Sequence, residues 1–277
     1  MIDFGLLLSM LAVVGVPSLV ERWWPLRTGI HSSYTDLVIL PVVVGLLVGR
    51  LVNVAFDAPG SFGRIGDLLI IRSGVDFWPG ALVAVALVAW GGRADGVGVV
   101  ARLADLAPLA LIGYAVYEGC CLFRDGCYGP AGSIGLRPPG VATTMFPVGL
   151  AVAVVVVAVA VAVRALARRA DDPPARDGAR AEDSADEDGA GADDRVDVGG
   201  IEGPRAMLVV VAAVAGVATV RAVASIWLPH VGEGLTRPHL TSIAVAVLSA
   251  PVLAWLAVQT RRDRAQLTFA ASEGPTD

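Results

Sequence analysis

The segment FPVGLAVAVVVVAVAVAV, residues 146–163, decides the fold of this chain. It is apolar throughout, and the sequence carries no charged residue from Pro138 to Val163. Crossing the hydrocarbon core of a bilayer takes roughly 20 mostly apolar residues. Such a segment is expected to be helical, because backbone groups that face lipid must be hydrogen-bonded within the segment itself. The stretch therefore predicts a transmembrane helix.

The rest of the chain has the same apolar character. Of its 277 residues, 55% are hydrophobic and 17% are charged, whereas a soluble domain of this size shows a more even balance. We predict an all-α membrane protein built as a seven-transmembrane-helix bundle. The predicted spans are residues 4–20, 36–56, 77–92, 103–123, 144–164, 206–228 and 239–259.

Arginine supplies every positive charge of the chain, because the sequence contains no lysine. Under the positive-inside rule, the end of the bundle that is richer in arginine faces the cytoplasm. We therefore expect the N-terminus outside, the C-terminus in the cytoplasm and several passes through the membrane. The arginines that set this orientation are Arg22, Arg27, Arg93, Arg102, Arg168, Arg169, Arg261, Arg262 and Arg264.

An acidic segment separates the last two predicted helices from the others. Asp171 to Asp197 contains eleven acidic residues and three arginines, so the remainder of the chain has a net charge of +3. A stretch this polar cannot bury enough apolar surface to fold, which predicts a disordered cytoplasmic linker. The sequence contains no basic run of the kind that would indicate nucleic-acid binding. The expected divisions are helices one to five with outer loops (1–169), the linker (170–203), helices six and seven (204–260) and a cytoplasmic tail (261–277).

Three charged residues lie deep within predicted spans, namely Arg50, Glu118 and Arg221. A charge near the bilayer centre costs several kcal/mol, so such residues usually face a polar cavity and find partners. Because a guanidinium forks onto phosphate oxygens, one interpretation is a pocket for an anionic group, such as a phospholipid phosphate. The alternative is a structural ion pair of Glu118 with Arg50 or Arg221. Asn53 would share a helix face with Arg50.

The segment YEGCCLFRDGCYGP, residues 117–130, holds all three cysteines. A disulfide from Cys127 to Cys120 or Cys121 and unpaired buried thiols are both open alternatives. The cysteine spacing is not a zinc pattern, and we predict no metal and no cofactor. The histidines His230 and His239 are expected to be surface or interface residues.

In their order along the chain, these features resemble the prolipoprotein diacylglyceryl transferases, seven-helix enzymes of the bacterial cytoplasmic membrane. Residues 36–56 look like the second helix of that family, with its GxR-type motif on Arg50. Residues 105–130 are similar to the family's helix and loop that end in a Gly-Cys-Cys-Tyr-Gly-type motif, matched here by GCYG at 126–129. Residues 216–229 resemble the late helix with an essential arginine, here Arg221. The likeness spans residues 36–259.

The resemblance implies an enzyme of lipoprotein biosynthesis in the bacterial cytoplasmic (inner) membrane. Its reaction would transfer a diacylglyceryl group from phosphatidylglycerol to the lipobox cysteine thiol of a prolipoprotein. The implied partners are phosphatidylglycerol or another anionic phospholipid, a prolipoprotein signal peptide and the lipid bilayer. The candidate catalytic residues are Arg221, Glu118 and Asp76. The candidate head-group ligands are Arg50, Asn53, Arg72, Arg221, Tyr128 and Gly129.

The chain departs from the family pattern at several positions. The family's loop histidine is replaced by Trp78, the first arginine by Glu118 and a late glutamate by Ser225, with further changes at Cys121 and Phe146. The usual residue for deprotonating the thiol is therefore missing, which implies weakened activity. The alternative function is a non-enzymatic homologue that binds or moves anionic phospholipid and supports another envelope protein. The residues that could replace the missing base are Asp76, Glu118, His230 and His239.

Overall fold

A computed structural model of the chain describes residues 4–26, 33–57, 60, 75–91, 97–121, 127–138, 141–171, 203–227 and 236–272. Within these ranges the protein is mostly helical, with seven α-helices and one two-stranded antiparallel sheet. Each predicted span overlaps one helix, with ends that differ by several residues in some cases. In chain order the elements are α1 Phe4–Val20, α2 Tyr34–Asp57, α3 Phe77–Gly91, α4 Val99–Gly119, β1 Tyr128–Leu136, β2 Met145–Pro147, α5 Val148–Asp171, α6 Pro204–Ala224 and α7 Arg237–Ser272.

Five of the helices are long and apolar enough to cross a membrane: α2, α4, α5, α6 and α7. The helices α1 and α3 are apolar but shorter. The 15 residues of α3 extend about 22 Å, against roughly 30 Å of hydrocarbon in a typical bilayer. By length and composition the described residues thus support five spans, whereas seven were predicted from the sequence.

The core of the bundle lies between α4, α5 and α6. Of the most apolar 18-residue stretch of α4, 61% is buried inside the bundle, whereas the corresponding share of α7 is 11%. The helix α4 is therefore central and α7 is peripheral. Small and β-branched residues fill the core, as is typical where membrane helices approach closely. Around it, α1 packs against α4, α2 packs against α3, and α7 packs against α6 and, less extensively, α3.

Large apolar side chains cover the outside of the bundle. Leu47 on α2, Val154 on α5 and Leu248 on α7 are among those exposed. An apolar surface of this extent is unusual on a soluble monomer, but it suits helices that face hydrocarbon. The outward faces therefore agree with the composition in indicating a membrane protein.

The hairpin of β1 and β2 was not anticipated from the sequence. Its strands pair irregularly, with register shifts between Tyr128 and Leu136. Gly135 has φ +150°, and a Cβ there would overlap the carbonyl oxygen of Met145. The strand YGPAGSIGL lacks the alternation of large residues that marks a regular strand. Because β2 occupies Met145–Pro147, α5 begins at Val148 rather than at the predicted residue 144.

Two glycines bring α2 and α3 into backbone contact. A Cβ on Gly45 would lie 2.6 Å from the carbonyl oxygen of Gly80, and a Cβ on Gly80 would lie 2.6 Å from that of Gly45. One turn further, the backbone N–H of Asp76 donates to the carbonyl oxygen of Gly49 at 3.0 Å. Close approach at these glycines therefore fixes the start of α3 against the last turns of α2.

We expect Gly45→Ala to destabilise the protein, because the new methyl group must push two backbones apart. Overpacking of this kind typically costs about 1–3 kcal/mol and should lower the thermal unfolding midpoint in detergent. The matched control is Gly15→Ala on α1, where a Cβ meets nothing within 4 Å. That change should leave the midpoint unchanged or raise it, because alanine is the better helix former. Equal midpoints for the two variants would contradict the contact.

Candidate functional site

A cluster of charged and polar side chains lies at the end of the bundle where α2, α4 and α6 finish and α3, α5 and α7 begin. We call this region the disulfide end, defined by Asp76, Glu118, Cys127, Arg221 and Arg237. It is the end at which the sequence places the segment with the three cysteines. The contacts described below connect all five of these residues through neighbouring helices.

Arg221 on α6 is the centre of the cluster. Its Nη1 donates to the hydroxyl of Tyr114 at 2.7 Å and to Oε1 of Glu118 at 3.2 Å. These two acceptors lie one helical turn apart on α4, so they present one face to the arginine. The guanidinium also lies over the ring of Phe77, with Cζ 4.3 Å from the ring centroid. Two helices therefore hold the charge in place.

The opposite edge of the same guanidinium is not engaged. Nε of Arg221 is buried and has no hydrogen-bond partner among the described residues, and they give Nη2 no partner either. The Arg221 side chain keeps 22% of its surface exposed, and that of Glu118 keeps 14%. The Nε and Nη2 donors form the fork that binds phosphate and carboxylate oxygens. Among the described contacts, Nε and Nη2 are therefore the donors of Arg221 that are left for a further anion.

The structure contains the ion pair that was one of the two interpretations of the buried charges. Glu118 pairs with Arg221 rather than with Arg50 as far as the described ion pairs show. Because one carboxylate cannot occupy both edges of a guanidinium, the pair does not exhaust the donors of Arg221. The ion pair and an anion site are thus compatible in this geometry.

Arg50 and Asn53 lie beside this cluster, in the last turns of α2. Arg50 is buried, and its Nη1 donates to Oδ1 of Asn53 at 3.4 Å. The preceding residue, Gly49, accepts the backbone N–H of Asp76. Arg50 is therefore next to the segment that leads into Phe77 at the start of α3. The roles of Arg50 and Asn53 as head-group ligands stay predictions, and Arg72 lies outside the described residues.

The carboxylate of Asp76 is held by an arginine that was not selected from the sequence. Nη2 of Arg237 lies 3.0 Å from Oδ2 of Asp76, and the guanidinium lies over the ring of Phe56 at 4.5 Å from its centroid. This pair joins the start of α3 to the start of α7. A catalytic role of Asp76 stays a prediction, and such a role would have to act from within this ion pair.

A disulfide links one of the two cysteines that follow α4 to the residue that precedes β1. Cys121 pairs with Cys127, with their Cα atoms 5.9 Å apart, and Cys120 is free. The N–H of Gly149 at the start of α5 donates to the carbonyl oxygen of Cys127 at 3.2 Å. A Cβ on Gly149 would lie 2.7 Å from the carbonyl oxygen of Glu118. The disulfide and the start of α5 therefore enclose the turn that carries Glu118.

Tyr128 and Gly129, two further candidate ligands, are buried directly after the disulfide. Tyr128 is opposite Pro147 in the hairpin, and a Cβ on Gly129 would lie 3.2 Å from the carbonyl oxygen of Trp227. They pack the hairpin against the end of α6, which carries Arg221. Their proposed contact with a lipid head group stays a prediction.

Two contacts of α7 at this end were not found from the sequence. His239, which was expected to be a surface or interface residue, is 7% exposed and therefore does not lie at the surface; its Nδ1 bonds to the hydroxyl of Ser225, which directly follows α6. Nε1 of Trp78 donates to Oγ of Ser242 at 3.0 Å. Ser242 follows His239 by three positions, which places both on one face of α7. No amphipathic pattern on α7 marks this buried face in the sequence.

Fold and site together describe a mostly helical protein with five helices long and apolar enough to cross a membrane, and with an arginine held by hydrogen bonds at one end of the bundle. The chain is similar to the phosphatidylglycerol–prolipoprotein diacylglyceryl transferase of Rhodococcus jostii (strain RHA1), with 32% identity over 114 residues. The match covers 39% of this chain and 32% of that protein, so the chain spans about a third of the length of this relative. No protein-family model matches the chain. The similarity confirms the resemblance that the motifs indicated, at the distance of a divergent relative.

The disulfide predicts the thiol count of the native protein. Denatured without reduction, the chain should bind one maleimide label, on Cys120, and after reduction it should bind three. Mass spectrometry of the labelled chain measures the difference. In the Cys120→Ser variant the single label before reduction should disappear. Three labels without reduction would contradict the pairing of Cys121 with Cys127.

Proposed function

We propose that this protein transfers a diacylglyceryl group from phosphatidylglycerol to the lipobox cysteine thiol of a prolipoprotein. The observation that carries the proposal concerns the donors of Arg221. Its Nη1 already donates to Tyr114 on α4, whereas Nε and Nη2 have no partner among the described residues. The name of the Rhodococcus relative supports the reaction class. In this reaction the thiol sulfur bonds to the glyceryl carbon, and the bond from that carbon to the phosphate oxygen breaks. The products are a thioether and glycerol phosphate.

Arg221 would stabilise the charge that develops on the departing phosphate. Donors that are already aimed at a developing charge need no reorganisation during the reaction, and this is usually the largest electrostatic contribution to catalysis. Tyr114, Glu118 and Phe77 provide that fixed orientation. Arg50, Asn53, Arg72, Tyr128 and Gly129 would complete the head-group site around it.

We further propose seven membrane spans, with the N-terminus outside and the C-terminus in the cytoplasm of a bacterial cell. Two features support this orientation. Arg168 and Arg169 lie in the last turn of α5, at the end of the bundle opposite the site. The disulfide of Cys121 and Cys127 lies at the site, and disulfides persist in oxidising surroundings. The disulfide end would therefore lie at the outer leaflet, with the short α1 and α3 accommodated by local thinning of the bilayer.

Purified protein with labelled phosphatidylglycerol and a lipobox peptide should form the thioether product. Arg221→Ala should lower the rate by roughly 100-fold or more, because it removes the donors for the leaving phosphate. The same change should weaken binding of phosphatidylglycerol. Arg262→Ala is the matched control, since Arg262 is exposed and far along α7 from the site.

The two readouts separate the alternatives. Wild-type protein that binds the lipid but forms no product would indicate the non-enzymatic lipid-binding homologue. Unchanged lipid binding by the Arg221→Ala variant would indicate that the arginine only locks α6 to α4.

Glu118→Gln distinguishes an anion site from a structural lock by a change in stability. Removing the carboxylate leaves a largely buried arginine uncompensated, which costs about 3–5 kcal/mol. If the fork of Arg221 binds phosphate, added phosphatidylglycerol should raise the unfolding midpoint of this variant more than that of the wild type. The control is Glu21→Gln, because Glu21 accepts a backbone N–H from Tyr34 and holds no arginine among the described ion pairs. Lipid that stabilises neither variant would contradict the site.

A further inference from the structure

The contact between Ser225 and His239 lies one helical turn from Arg221. Ser225 directly follows α6, and its backbone N–H donates to the carbonyl oxygen of Arg221 at 3.0 Å. Its hydroxyl bonds across the helix interface to Nδ1 of His239 on α7. His239 is the only histidine within the part of the chain that the structure describes, and it is buried. A buried histidine is thus attached to the turn that carries the site arginine.

The second hydrogen bond of Ser225 is the basis for assigning the proton of the His239 ring to one of its two nitrogens. The hydroxyl of Ser225 lies 2.8 Å from the carbonyl oxygen of Ala222 and is its donor, because a carbonyl oxygen can only accept. A hydroxyl has one proton to donate, so its oxygen accepts from the ring instead. With the Ser225 proton assigned to Ala222, Nδ1 of His239 carries the hydrogen of the neutral ring and Nε2 is a lone-pair acceptor.

The packing of α7 keeps this ring near the site. Ser242, one turn along α7, accepts a hydrogen bond from Trp78, and the ring of Trp78 packs edge-on against Phe77 with centroids 5.1 Å apart. Phe77 is the ring on which Arg221 lies. The face of α7 that carries His239 is therefore tied to α6 through Ser225 and to α3 through Trp78. The charged groups beside it are Arg221 on α6, Asp76 before α3 and Arg237 on α7.

We infer that His239 is the proton acceptor for the substrate thiol, through Nε2, and that Ser225 is the residue that positions it. This inference rests on the proposed function. The proton of the thiol moves to Nε2, and the resulting thiolate bonds to the glyceryl carbon. The carbon–oxygen bond to phosphate breaks with its electron pair, which goes to the phosphate held by Arg221. The imidazolium then returns its proton to the departing glycerol phosphate.

His239→Gln should lower the rate of thioether formation by roughly 100-fold or more, the usual contribution of a general base. Binding of phosphatidylglycerol should stay at the wild-type level, which also shows that the variant is folded. The deficit should shrink as the pH rises from 7 to 9, because the peptide thiol, with a pKa of about 8.5, then ionises without help. A purely structural histidine would not give this pH dependence.

Other outcomes of the same assay overturn one claim or the other. A wild-type rate in His239→Gln overturns the inference, and so does a loss confined to His230→Gln. Wild-type protein that binds phosphatidylglycerol without forming any thioether overturns the proposed function, and the role of His239 toward a thiol with it.

The tautomer of His239 provides a test that does not depend on activity. In protein labelled with ¹⁵N-histidine, the resonances that disappear in His239→Gln should show a protonated Nδ1 and an unprotonated Nε2 in the neutral ring. Ser225→Ala should remove this preference while lipid binding is retained, and its transfer rate should fall less than that of His239→Gln. A His239 ring protonated on Nε2 in the wild type would overturn the assignment, whatever the transfer rates of the variants.

Discussion

The structure depends on the burial of one guanidinium at the end of a membrane helix. A guanidinium in that place needs hydrogen-bond acceptors, and Tyr114 and Glu118 supply them while Phe77 covers its face. Meeting that requirement fixes the relative positions of three helices. The end of α6 must be level with the end of α4, and the start of α3 must reach over both. The disulfide and the start of α5 then support the turn of α4 from which Glu118 extends.

The remaining contacts of the disulfide end follow from the same arrangement. Once Phe77 lies on the arginine, Asp76 is carried to the last turns of α2, where its N–H meets Gly49, and its carboxylate meets Arg237 of α7. Opposite charges therefore alternate between neighbouring helices around the site. Breaking such a buried pair is costly, although forming it contributes little net stability, so these pairs select one register of the bundle rather than strengthen it.

The helices could be predicted from the sequence because an apolar run in a bilayer has only one way to satisfy its backbone. The ion pair of Glu118 with Arg221 was one of two stated interpretations, because charged residues within apolar spans are easily recognised in the sequence. The partner of Cys127 could not be chosen, because Cys120 and Cys121 are adjacent and only the helical phase at the end of α4 separates them. The burial of His239 and the pairing of Asp76 with Arg237 depend on how α7 docks, for which no local pattern exists. The hairpin was missed because its glycine-rich, bulged strand lacks alternation.

The peripheral position of α7 has a consequence for how a lipid would reach and leave the site. Arg221 and Glu118 belong to the inner helices α4 and α6, whereas Arg237 and His239 are borne by the helix that the bundle encloses least. Under the proposed function, the chemistry would be divided between these inner helices and a helix whose outer side would border acyl chains. A two-tailed molecule diffusing in the leaflet would meet that boundary sideways, with its tails still dissolved in hydrocarbon.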